Sequence, residues 1–114
     1  MAFDAEGFLT LAESLFGASE SEERTAIGRL YYGLFLRART HAGLAHIKDA
    51  SVHRLTMMFL RTSPTSAPAA EALNALRTLR NFCDYEVDEN LTLAHVDEAK
   101  RHANDVQEIM GGIW

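Results

Sequence analysis

The sequence predicts an all-α protein, an antiparallel up-and-down bundle of about five helices folded as a single domain over residues 1–114. Three observations carry this. The chain has only two prolines, its apolar residues recur at spacings of three and four, and no β-branched run alternates as a half-buried strand would. A chain of this length buries roughly two thirds of the surface it exposes when unfolded, so it needs no covalent staples. The lone Cys83 excludes an internal disulfide and a multi-cysteine zinc site.

The first helix is expected from about Asp4 to Phe16, with Phe8, Leu11, Ala12 and Leu15 on one face and Gly17 at its end. Ser19 followed by Glu22 has the form of a capping box opening the second helix, and Gly43 is a natural stop for it. Its stripe of Ile27, Leu30, Tyr31, Leu34 and Ala38 is widened by Phe35 and Leu36, which predicts a central helix touched by several neighbours. After the loop LAHIKDA, Ser51 is placed to cap a short third helix carrying Leu55, Met58 and Phe59 inward. TSPTSAP reads as a linker, with Pro68 in the first turn of the fourth helix. That helix turns Ala69, Ala72, Leu73, Leu76, Leu79 and Cys83 inward. Thr92 caps a fifth helix carrying Val96, Ala99, Ala103, Val106 and Met110 before Gly111 and Gly112.

The start MAFDAEGFLTLAESLF is acidic and interrupted, unlike a signal peptide, and no apolar run approaches a membrane span. With one thiol besides, a cytoplasmic protein without a membrane partner is expected. The net charge of −5 argues against general nucleic-acid binding, which is mostly electrostatic. The charge is unevenly divided, however. Residues 1–23 hold six acids and no base, residues 24–61 hold seven bases against Asp49 alone, and residues 62–114 hold nine acids against four bases. A basic zone inside an acidic shell suits a local anion site, and equally a solvated helix face.

The stretch RTLRNFCDYEVDENLT is the candidate site. Arg77, Arg80, Asn81 and Asp84 are three or four residues apart, so they share one helix face, expected opposite the Ala/Leu stripe. Arginine suits a phosphate because its planar fork donates parallel hydrogen bonds and stays charged. The plainer account is that Arg80 and Asp84 satisfy each other as an i,i+4 surface pair. Arg29, Tyr32 and Arg37 extend the candidate binding face from the second helix, while Tyr31 and Tyr32 are also expected as core residues whose hydroxyls find partners at the edge. His95 and His102 stand about 10 Å apart along their helix, too far to share a metal, so neither metal nor cofactor is expected.

Taken together, RTAIGRLYYGLFLRARTHAG, VHRLTMMF, LRNFCDYEVD and HVDEAKRHANDVQEIM resemble the HEPN domain family over nearly the whole chain. The branch resembled has a Tyr-Tyr pair in its second helix, a His opening the third, and Arg-Asn-x-x-Asp-Tyr ending the fourth. The resemblance implies a HEPN-like bundle, commonly a homodimer with the polar face of the fourth helix near the two-fold axis. It also implies a toxin or defence role acting on RNA, often by metal-independent cleavage, sometimes beside a nucleotidyltransferase partner.

The family's nuclease signature pairs an Arg, usually followed by a polar residue, with a His shortly after. Arg80 and Asn81 match its first half, while Tyr85, Glu86 and Val87 occupy the positions where the His belongs. Metal-free RNA cleavage needs a base, an acid and a cation, and a phenol of ordinary pKa near 10 is a poor base. Arg80, Asn81 and Tyr85, with His53 as substitute proton carrier, therefore form the candidate catalytic set. Arg77, Asp84, Arg29, Tyr32 and Arg37 form the binding set. The alternative is a noncatalytic module that uses the same face for a nucleotide or a nucleotidyltransferase, and a purely structural adaptor is a third reading.

Overall fold

Five α-helices make up the residues that the computed structural model describes, 5–114: α1 (Glu6–Leu15), α2 (Glu20–His41), α3 (Val52–Arg61), α4 (Ala67–Tyr85) and α5 (Leu93–Met110). No strand occurs among the described residues, and Asp4, the expected helix start, lies outside them. The helix ends follow from polar chemistry. The Ser19 hydroxyl accepts the Glu22 N–H at 3.2 Å, but the Glu22 carboxylate takes the Ser19 hydroxyl instead of its backbone, so only half of the expected box forms. The full box is at Thr92, where His95 Nδ1 accepts the Thr92 N–H at 3.0 Å. Gly43, at φ +75°, closes α2 by letting its own N–H reach the Thr40 carbonyl and that of Leu44 reach Arg39.

Ser51 does not cap α3. Its backbone N–H is 2.9 Å from the Asp49 carboxylate, which also receives the Ser51 hydroxyl, and its backbone is already helical. Asp49 thereby organises the turn, and both bonds hold its carboxyl below the usual range.

Packing makes α2 the hub, since it touches each of the other four helices. Ala26, Ile27, Leu30, Tyr31, Leu34, Phe35 and Ala38 are all buried along it. The expected stripes of α4 and α5 are buried residue for residue, with Ala70 added. Helix directions follow from side-chain neighbours. Glu6 meets Arg37, Arg24 meets the Cys83 carbonyl, and the Phe82 and His95 rings lie 4.5 Å apart, so α1/α2, α2/α4 and α4/α5 run antiparallel. The radius of gyration, 13.8 Å, is close to the roughly 13 Å expected of one folded unit of this length.

Two inward faces differ from expectation. In α1 the buried residues are Leu9 and Ala12, and Leu11 is 44% exposed. Gly33 explains this: a Cβ there would stand 2.8 Å from Leu9 Cδ2, so the missing side chain is the slot that admits Leu9. In α3 the buried residues are Thr56, Met57 and Leu60, while Met58 and Phe59 are exposed. Thr56 tolerates burial because its hydroxyl donates to the Val52 carbonyl at 2.8 Å.

These burials set expected costs. Leu73→Ala, at a fully buried site, should lower the unfolding free energy by about 2–5 kcal/mol, and Leu11→Ala by no more than about 0.5. Urea denaturation of the two variants checks the assignment, and equal losses would contradict it.

Candidate functional site

The end of α4 leans on α2, where Arg80 turns toward it and Arg77 lies close enough to act on Tyr31 and His53. Arg80 has only 20% of its side chain exposed. Its Nη2 donates to the Tyr32 hydroxyl at 2.8 Å, and its guanidinium lies 4.9 Å from the Tyr32 ring centroid and 5.9 Å from that of Tyr31. Asp84 Oδ2 is 3.0 Å from Arg80 Nε, an ion pair without hydrogen-bond alignment, so that buried Nε–H has no hydrogen-bond partner among the described residues. Nη1 reaches Asn81 Oδ1 only at 3.4 Å. The expectation that this polar line faces away from the apolar stripe is therefore corrected. Arg77 and Arg80 are half-buried along the α2–α4 seam, and only Asn81 and Asp84 are exposed.

From α2, Arg29 stacks 5.0 Å from the Phe8 ring centroid and 5.5 Å from that of Tyr32, with its Nε buried and unpartnered among the described residues. Two guanidinium groups thus share one tyrosine ring. Their mutual repulsion is offset by the ring's quadrupole and the Asp84 carboxylate, and an anion between them would relieve it further.

His53 sits behind this edge. Its Nδ1 is 2.7 Å from the Tyr31 hydroxyl, and its ring stacks on Phe35 at 5.5 Å. Burial, reinforced by the Arg77 charge and to a lesser extent by Arg61, pushes the imidazole below its ordinary value of 6.5, against an opposing pull from Asn74 that does not give Nε2 a well-formed hydrogen bond. Burial also pushes Tyr31 up to about 12, outweighing the opposing pull of Arg77 and Arg80. At neutral pH the pair is an uncharged phenol against an uncharged imidazole.

The structure therefore gathers Arg29, Tyr32, Arg77, Arg80, Asn81 and Asp84 at one seam, with His53 linked to it through Tyr31. Arg37 is not part of it. It pairs with Glu6 at 2.6 Å and stacks 4.5 Å from the Trp114 centroid, two turns further along α2. Tyr85 ends α4 with 72% of its surface exposed.

Arg24 was legible in the sequence only as a charge, yet it holds the end of α4. Its guanidinium donates to the carbonyls of Cys83 at 2.9 Å, Glu86 at 3.2 Å and Glu89, capping a helix with no basic residue in its own last turn. Glu20 completes the clasp by accepting the Leu91 N–H at 2.7 Å, which holds its carboxyl below the usual range. Beneath the clasp, burial pushes the Cys83 thiol up to about 11, leaving it a poor nucleophile. Among the described residues, no group of three or more His, Cys, Asp or Glu could hold a metal, and no helix is long and apolar enough to cross a membrane.

Fold and site define a five-helix protein with an arginine–tyrosine seam between its second and fourth helices. The chain is 32% identical to the uncharacterized protein MJ0992 of Methanocaldococcus jannaschii, over 86% of this chain and 69% of that protein, and it belongs to the same family. No family model matches the chain, and no solved structure matches it.

Two outcomes are expected. Because the unfolded chain takes up a proton near pH 6.5 that folded His53 resists, its neutral form contributes stability above 6.5 that is lost as pH falls toward the folded value. Urea midpoints between about pH 7.5 and 5.5 should decline in the wild type and decline less in His53→Gln. Arg24→Ala should speed hydrogen exchange at the Glu86 and Leu91 amides while leaving mid-α2 amides protected. Unchanged exchange at those two amides would mean that the clasp does not hold the turn.

Proposed function

We propose that the chain is a HEPN-type domain of toxin or defence systems that binds RNA, gripping a phosphate between Arg80 and Arg29 at the α2–α4 seam. The observation that carries this is the preorganisation of Arg80. It is half-buried, aimed by the Tyr32 hydroxyl and the Asp84 carboxylate, and shares the Tyr32 ring with a second arginine. Holding the fork in place beforehand removes part of the entropy cost of binding. The order of the motifs, a Tyr-Tyr pair, a His opening α3 and Arg-Asn-x-x-Asp-Tyr ending α4, supports the HEPN reading.

Catalysis is at most feeble in this reading, and the noncatalytic alternative draws support from His53. That imidazole is bonded to Tyr31 and stacked on Phe35, so its accessible role is to brace the seam. A positioned proton carrier contributes about a hundredfold to ten-thousandfold, and none stands where the nuclease signature expects one. The same seam then serves a nucleotide, or a nucleotidyltransferase partner that docks over it. Two chains joined about the α4 face would double the arginine set, so sedimentation at micromolar concentration should give twice the 12.7 kDa chain mass. A monomer alone would remove the shared cleft.

Arg80→Ala should weaken binding of a mixed RNA pool by about tenfold to a hundredfold, with Arg80→Lys recovering only part, because a charge-assisted contact is worth about 1.5–3 kcal/mol. Its stability cost should be about 1–2 kcal/mol, from the hydrogen bond to Tyr32, the Asp84 ion pair and the stacking on the two tyrosine rings. A sharp drop in stability with RNA binding unchanged would make Arg80 structural. Tyr85→His tests latent cleavage: with chelator present it should cut RNA faster than wild type, at a rate rising between about pH 5.5 and 7. If neither protein cleaves, the noncatalytic reading stands.

A further inference from the structure

The far end of α2 carries a second cationic surface, separate from the seam. A groove of about 470 Å³ is lined there by Leu36, Arg37, Arg39, Thr40, His41 and Trp114. That volume lies within the range of roughly 300–1,000 Å³ usual for small-molecule sites. Arg37 is neutralised by Glu6, but Arg39 pairs with no carboxylate among the described residues, and its half-buried side chain has a buried Nε with no hydrogen-bond partner there. The Nε is closed to a ligand as it is to water, so an anion in the groove would meet the outer Nη groups of this uncompensated cation.

The ordinary explanation for a base in a last helical turn is that it caps the exposed carbonyls. Three of the last four carbonyls are already taken: the N–H groups of Ala42, Gly43 and Leu44 bond the Ala38, Thr40 and Arg39 carbonyls at 2.9, 3.0 and 2.9 Å. The Arg39 guanidinium itself bonds none of these three carbonyls. Beside it, the Arg37 guanidinium lies 4.5 Å from the centroid of the Trp114 ring, so planar cationic and aromatic surfaces adjoin the unpaired charge. Phosphate recognition by a guanidinium and base recognition by stacking need these groups side by side.

We propose that this groove binds a nucleoside phosphate, its phosphate on Arg39 and its base against the Trp114 and Arg37 planes. The site is independent of the Arg80 seam. Its ligand is either a free mononucleotide or the 5′-phosphorylated end of an RNA strand, which present the same chemistry. Trp114 is the sole tryptophan, so its fluorescence reports on the groove alone.

Titrating the full chain with adenosine 5′-monophosphate should change that fluorescence saturably. Arg39→Ala should weaken binding by about tenfold or more, Arg101→Ala on the exposed face of α5 should leave it unchanged, and thermal unfolding should show Arg39→Ala to be folded. Adenosine alone should bind more weakly by a similar factor. A short 5′-phosphorylated RNA then identifies the source: equal affinity for the mononucleotide assigns a free nucleotide, and much tighter RNA binding that still needs Arg39 assigns an RNA end. Calorimetry with Trp114→Ala, expected to lose affinity, checks stacking without the fluorophore. The proposal is overturned if neither ligand binds saturably, if Arg39→Ala binds as wild type, or if adenosine binds as well as its phosphate. Loss of binding in Arg80→Ala but not in Arg39→Ala would likewise overturn it and assign the nucleotide to the seam.

Discussion

Contact with four helices leaves α2 almost no open side, and this constraint shapes the rest of the molecule. A helix covered so widely must be apolar over most of its circumference, and its polar side chains can reach water only through seams between neighbours. Arg29 and Tyr32 emerge at such a seam, where α4 supplies Arg77 and Arg80. Gly33 is the complementary case, because the close approach of α1 leaves no room for a side chain beside Leu9.

The basic segment of α2 is consequently not a solvated stripe. Arg24, Arg29 and Arg37 each lie over an aromatic ring, those of Phe82, Phe8 and Trp114. A guanidinium is weakly hydrated and flat, so it can stack in a half-buried seam at lower cost than an ammonium while its rim of N–H groups stays directed. Where carbonyls or carboxylates meet that rim, as at Arg24 and Arg37, the arginine is structural. At Arg29, Arg39 and Arg80 the buried Nε is left without a hydrogen-bond partner among the described residues.

His53 shows how the same packing disarms a group suited to proton transfer. Burial and two nearby arginines favour its neutral form, and Tyr31, itself hard to ionise, occupies Nδ1. The imidazole thereby couples α3 to the α2–α4 seam as a hydrogen-bonding spacer. Charge stands at the edge of this part of the core, on the arginines and on the Asp84 carboxylate paired with Arg80.

Periodicity and capping chemistry determined the helical class, five elements and the inward faces of α2, α4 and α5, because long helices with wide or regular apolar stripes have one way to bury them. The short helices were less legible. A ten-residue helix has few turns over which to average its pattern, and its rotation was settled by the slot at Gly33 for α1 and by the self-satisfied Thr56 hydroxyl for α3. Spacing placed Arg77, Arg80, Asn81 and Asp84 on one helix, but the tyrosines that hold Arg80 come from α2, about fifty residues away, and local spacing is silent about such distances. Arg37 looked like a neighbour of Arg29 because both lie on α2, and only packing sent it to Glu6 and Trp114. The Arg24 clasp was equally invisible, since it binds backbone carbonyls, which carry no side-chain identity. Sequence determined which cationic groups this protein has; tertiary structure decided which of them are already spent on partners within the fold.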